Sequence, residues 1–127
     1  MGKGIDHVCV VSDDLDKSVD FYTRVLGFEF VMREALESQG IEIARVQYRG
    51  DVIEFVRHTA PDARPGRGDG VIELIGISVP DVRAGAKRLR GLGVECLMDE
   101  PVIMPGGGFF FFRGPSGERL ELVQTEG

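Results

Sequence analysis

The sequence predicts an α+β fold: two tandem βαβββ modules forming a cup-shaped mixed sheet with helices on the outer face. Three observations lead there. The wording repeats: Val11-Ser12-Asp13-Asp14-Leu15 is echoed by Ser78-Val79-Pro80-Asp81-Val82, and Val52-Ile53-Glu54-Phe55-Val56 by Arg119-Leu120-Glu121-Leu122-Val123. The offset is 67 positions at both places (81 − 14 and 121 − 54), and 66 in the middle, where Leu92-Gly93 follows Leu26-Gly27 (92 − 26). Equal offsets at opposite ends of a segment indicate duplicated structure. Finally, each copy reads strand, helix, strand, strand, strand, from apolar periodicities that switch between two and 3.6 residues.

Ile5 to Val11 is a strand, with His7, Cys9 and Val11 on one face and Val8 and Val10 on the other. Ser12-Asp13-Asp14 supplies N-cap chemistry, and Leu15, Val19, Tyr22 and Leu26 form one helical stripe. Gly27 stops that helix. Phe28 to Arg33 follows as a strand, and Glu34 to Gly40 as a polar loop over the site mouth. Ile41 to Tyr48 and Val52 to Arg57 make a hairpin. With Gly50-Asp51 as its two-residue loop, Gln47 lies opposite Glu54 and Arg45 opposite Val56.

Thr59 to Gly70, with two prolines and three glycines, is a surface linker between module one (5–58) and module two (71–124) of a single domain spanning 1–127. Module two reads as a strand over Val71 to Val79, then a helix over Val82 to Leu92 capped by Asp81. Val94 to Met98 is a strand, Asp99 to Gly108 a loop, Phe109 to Arg113 a strand, and Glu118 to Gln124 the last strand after a four-residue turn. That turn sets Phe110 and Phe112 toward the cavity and Phe109 and Phe111 toward the helix.

With 127 residues, 43% hydrophobic and 28% charged, the chain is an ordinary globular protein able to bury a core. Its net charge of −6 and pI of about 4.9 argue against general nucleic-acid or anionic-membrane binding. The basic run Lys87-Arg88-Leu89-Arg90 reads as a solvated helix face. No apolar run approaches a membrane span of roughly 20 residues, and Met1-Gly2-Lys3-Gly4 starts no signal peptide. Cys9 and Cys96 are expected to be free thiols in a cytoplasmic protein.

Apolar neighbours of Glu54 and Glu121 face the helices, which turns both carboxylates and His7 to the concave side. By itself an inward histidine fits a hydrogen-bonded core residue, and two strand glutamates fit a solvated face. Gathered on one concave face the two carboxylates are costly to bury unless a cation or a proton compensates, and a metal or Arg45 would serve. Cys9, Arg45 and Gln47 are further candidates for lining the pocket. His58 shares the parity of Glu54 and adjoins the linker.

The arrangement resembles the vicinal oxygen chelate superfamily, which includes glyoxalase I, methylmalonyl-CoA epimerase, extradiol dioxygenases, and fosfomycin and bleomycin resistance proteins. The likeness rests on Ile5-Asp6-His7-Val8, on Asp16 to Tyr22 with Val25-Leu26-Gly27-Phe28, on Gly106-Gly107-Gly108, and on Phe111 to Leu122. It implies one metal ligand from the first and last strand of each module, here His7, Glu54, Leu74 and Glu121. Leucine at the fourth position departs from the pattern. Glu73, next to it, points to the opposite face from Leu74 and is not expected to replace it. His7, Glu54 and Glu121 then form a three-ligand set suited to a divalent ion (Ni, Co, Mn, Zn or Fe), with Leu74, Phe110 and Phe112 lining a substrate site. Extradiol cleavage and a close copy of glyoxalase I are disfavoured.

What the resemblance implies is isomerase or lyase chemistry on a small oxygen-bearing substrate through a metal-stabilised enolate, with Glu54 and Glu121 as catalytic carboxylates. The alternative is a metal-free small-molecule (drug) binding protein of the bleomycin-resistance type. A homodimer is also implied.

Overall fold

The two predicted helix caps are both in place. Asp14 accepts a hydrogen bond from the Lys17 amide, and Asp81 from the amides of Arg83 and Ala84, each with extended backbone at the cap. The computed structural model describes residues 3–60, 69–115 and 117–125, so most of the expected linker lies outside the described residues. The elements are β1 (Ile5–Val11), α1 (Leu15–Asp20), continued by a π-helical turn (Phe21–Val25), β2 (Glu29–Leu36), a 3-10 turn (Glu37–Gln39), β3 (Ile41–Tyr48), β4 (Asp51–His58), β5 (Ile72–Ser78), α2 (Val82–Gly91), β6 (Val102–Met104), β7 (Gly107–Arg113) and β8 (Arg119–Thr125). This is the α+β order of two βαβββ modules.

The chain divides into two compact units, His7–Glu73 and Met1–Asp6 with Leu74–Gly127. In the first, the sheet order is β2-β3-β4-β1, with β1 parallel to β4 and the other neighbours antiparallel. Leu15 of α1 packs on Ala44, Val46 and Phe55, joined by Tyr22 and Phe28. The Tyr22 and Phe55 rings meet edge to face at 4.9 Å. Ile53 and Phe55 therefore face the helix, and Glu54 and Val56 the other way.

The β3–β4 hairpin differs from expectation by two residues. Arg49 and Gly50 are the loop, with φ of 51° and 88°, the left-handed pair that a two-residue hairpin turn requires. Tyr48 then pairs with Asp51, Gln47 with Val52, and Arg45 with Glu54. A slip of two keeps every side chain on its face and changes only its partner. β2 is also longer than expected, taking in Glu34 to Leu36. Its Arg33 is neutralised locally, donating to Asp16 and Glu42. Those bonds, Asp16 first, hold the Arg33 pKa above its ordinary value.

In the second unit the order is β5-β8-β7-β6. Expectation fails here for Phe110 and Phe112. Both are buried beneath α2 with Val82, Ala86, Leu89 and Leu122, so they are core and not pocket wall. The connection after Arg113 is one residue longer than the turn assumed: Arg113 pairs with Arg119, Phe112 with Leu120 and Phe110 with Leu122. One residue of register turns a strand over. Phe109 and Phe111 take the other face, with ring centroids 5.1 Å apart.

Val94 to Met98 is not a regular strand either. It meets β7 through Leu97 N to Phe111 O, Arg113 N to Glu95 O, and a bridge at Cys96. Phe111 N turns to the Met98 sulfur instead. β6 forms later, inside the segment expected as loop. The glycines before Phe109 have a steric reason: a Cβ on Gly107 would lie 1.8 Å from Gln124 O, and one on Gly108 2.7 Å from Val102 O.

Phe110→Ala is expected to cost about 3–5 kcal/mol by urea denaturation, and Phe111→Ala clearly less. The reverse order would contradict the β7 register.

Candidate active site

β1 is an apolar strand interrupted by one imidazole. His7, Cys9 and Val11 are its buried residues, at 5%, 2% and 1% exposure. Parallel pairing places Cys9 beside Glu54 of β4. The Glu54 carboxylate is buried and shared: Oε2 lies 3.3 Å from His7 Nε2, and Oε1 lies 3.5 Å from Arg45 Nη2. Arg45 reaches it because the hairpin register sets the two residues opposite each other. Its side chain is 41% exposed, while its Nε is buried without an acceptor among the described residues.

A second pair is one that the sequence reading does not anticipate. Glu73 Oε1 is 2.8 Å from His58 Nε2, and its Oε2 accepts the Cys9 thiol over 3.6 Å. Both side chains of the pair are 8% exposed. Glu73 thus reaches the face of His7 and Cys9. The cause is the pairing of β1 with the chain entering β5. Val11 N donates to Val71 O and Gly70 N to Val11 O, and continuing that antiparallel register sets Glu73 across from Cys9. The signal was present: Ile72-Glu73-Leu74 is a carboxylate inside an apolar run, like Ile53-Glu54-Phe55 and Leu120-Glu121-Leu122.

The other expected residues are placed as follows. Gln47 shares the Arg45 face of β3, half-buried. Leu74 is buried at the start of the second unit. Glu121 pairs with Gly76 and Phe111 in that unit, half-buried, on the face opposite Leu120 and Leu122. Cys9 and Cys96 are free thiols. Of the expected ligand set, His7 and Glu54 stand together in one unit, and a buried imidazole beside a carboxylate is a suitable donor pair for a divalent cation. Among the described residues no group of three or more His, Cys, Asp or Glu is placed to hold a metal.

A buried carboxylate is costly unless compensated, and Glu54 is compensated twice. Glu54→Leu removes the acceptor of a buried imidazole and should lower stability by about 1–3 kcal/mol, read by chemical denaturation. A neutral result would mean that His7 and Glu54 are not coupled.

No described helix is long and apolar enough to cross a membrane. The family model for the Glyoxalase/Bleomycin resistance protein/Dioxygenase superfamily matches residues 4–122. Among curated relatives, the chain is 31% identical to a 2-epi-5-epi-valiolone epimerase of Actinomyces sp, over 94% of this chain and 78% of that protein. It is 30% identical to a probable lactoylglutathione lyase of Synechocystis sp., over 94% and 93%. Among solved structures, methylmalonyl-CoA epimerase from Mycobacterium tuberculosis superposes with a TM-score of 0.86 at 26% identity, over 99% of this chain and 90% of that one. The fold, the repeat and the family model agree: this chain belongs to the Glyoxalase/Bleomycin resistance protein/Dioxygenase superfamily.

Proposed function

We propose that this protein is a glyoxalase-like enzyme of the isomerase or lyase kind, which moves a proton on a carbon next to a carbonyl. The observation that carries the proposal is Glu54: a buried carboxylate between His7 and Arg45, with Arg45 Nε left without an acceptor beside it. Glu54 takes the proton from carbon, and His7 holds its Oε2 in place. As Glu54 loses its charge, Arg45 is released toward the charge forming on the substrate oxygen, and its Nε is a donor already turned inward. Donors fixed in advance around a developing charge commonly contribute more to such catalysis than any other single effect. The relatives' names fit that chemistry. An epimerase of a methylmalonyl thioester, an epimerase of a hydroxy ketone and a lyase of a lactoyl thioester all handle carbonyl-activated carbon.

A divalent cation belongs to the same proposal. His7 and Glu54 are the donors that one unit offers it, and when bound it would supply Lewis-acid stabilisation of the enolate oxygen. So does the homodimer expected from the resemblance. The drug-binding alternative loses Phe110 and Phe112 as pocket wall, since both lie beneath α2, and keeps Leu74.

The test is hydrogen exchange in D2O with methylmalonyl-CoA, S-lactoylglutathione and 2-epi-5-epi-valiolone, followed by NMR. The wild type should exchange the proton next to the carbonyl of at least one, and Glu54→Gln should be slower by about 10²–10⁴-fold. No exchange with any of the three would overturn the proposal. Protein purified without chelator should take up one equivalent of Ni, Co, Mn or Zn, and His7→Ala should abolish that uptake while staying folded. Equal uptake by the variant would remove His7 from the ligand set.

A further inference from the structure

Glu54 is not the only buried carboxylate on this face. Glu73 is held in the same manner, by the His58 ring at one oxygen and the Cys9 thiol at the other. Cys9 stands between the two glutamates, because its neighbour on β4 is Glu54. Adjacent strands lie about 4.8 Å apart, so the two glutamate backbones are on the order of 10 Å apart with both side chains rising from one face. Carboxylate pairs that act on two sides of one substrate centre stand about 5–9.5 Å apart in other enzymes, which is the range these side chains can span.

The second pair is also incomplete as a purely structural device. His58 gives Nε2 to Glu73 and leaves Nδ1 buried without a partner among the described residues. An orphaned buried polar atom is destabilising. The reaction assigned to Glu54 leaves Glu73 and His58 unused.

We propose that Glu73 is a second catalytic carboxylate, positioned by His58, which returns a proton to the carbon from which Glu54 removes one. This rests on the proton-transfer function proposed for Glu54. In the forward step the C–H bond breaks, its proton goes to Glu54, and its electron pair enters the carbonyl system as an enolate. The O–H bond of Glu73 in its acid form then breaks and a new C–H bond forms. Glu54 ends as the acid and Glu73 as the carboxylate, and the opposite-handed substrate runs the same steps in reverse. No oxidant or reductant is needed. The Cys9 thiol suits both states, donating to the carboxylate and accepting weakly from the acid. The substrate class narrows to compounds with a stereogenic C–H next to a carbonyl, and the outcome to inversion at that carbon.

The experiment follows 2R- and 2S-methylmalonyl-CoA separately in D2O, with 2-epi-5-epi-valiolone as a second probe, using wild type, Glu73→Gln and His58→Gln. The wild type should exchange and invert both hands. Glu73→Gln should lose inversion by about 100-fold or more while still exchanging the hand that Glu54 deprotonates. His58→Gln should lower kcat by about tenfold at unchanged KM, as expected of a group that orients another. If Glu73→Gln inverts at the wild-type rate, the second carboxylate is overturned and the role of Glu54 stands. If the wild type exchanges no probe, the function itself fails. Ring-15N NMR of His58 then judges the pair alone. The hydrogen must sit on Nε2 in the wild type and redistribute in Glu73→Gln; a hydrogen on Nδ1 in the wild type overturns the pairing. The same spectra report whether each variant is folded.

Discussion

Glu54 constrains the whole unit around it. A carboxylate in the middle of Val-Ile-Glu-Phe-Val is tolerable only if its face of the sheet offers compensation. His7 comes to it from the strand on one side and Arg45 from the strand on the other. Each arrival depends on a backbone feature: β1 must run parallel to β4, and the hairpin must turn at Arg49-Gly50 so that Arg45 falls opposite. The opposite face is left free to be apolar, and it is there that Leu15, Tyr22, Phe28 and Phe55 build the core. Burial of a polar pair and burial of an apolar cluster are the two sides of one alternating pattern.

What was legible in the sequence follows from that alternation. The order of the elements, both caps and the second helix depend on local periodicity and match the reading, while the first helix passes into a π-helical turn at Phe21 that leaves Leu26, expected on its apolar stripe, exposed. What was not legible depends on register between strands distant in sequence. The connection after Arg113 is one residue longer than the assumed turn, which places Phe110 and Phe112 in the core instead of the cavity. The β3–β4 slip of two residues changes no face but replaces Val56 by Glu54 opposite Arg45. The repeat equates Leu74 with His7 and so passes over Glu73, whose partners are decided by the pairing of Val11 with Val71. A repeat shows which positions are equivalent by descent. It does not show which side chains meet.

Membership of the superfamily establishes the fold, and on this fold function belongs to the site. Here the proposed site is a face of paired imidazoles and carboxylates: His7 with Glu54, His58 with Glu73, and the Cys9 thiol between the glutamates. The leucine at the fourth expected ligand position makes this chain unlike the fully liganded pattern. In the proposed reaction the weight of the chemistry falls accordingly on proton-handling side chains, with Arg45 as the nearby positive charge.

Everything proposed for the reaction depends on His7 and Glu54 acting as one unit on the proton next to a carbonyl. A double-mutant cycle on the exchange rate, with His7→Asn, Glu54→Gln and the pair, addresses this without intermediaries. Groups that act together are strongly non-additive, so the double variant should exchange no more slowly than the slower single variant. Rate losses that multiply across the two substitutions would show that the residues work independently, and the coupled role would be wrong.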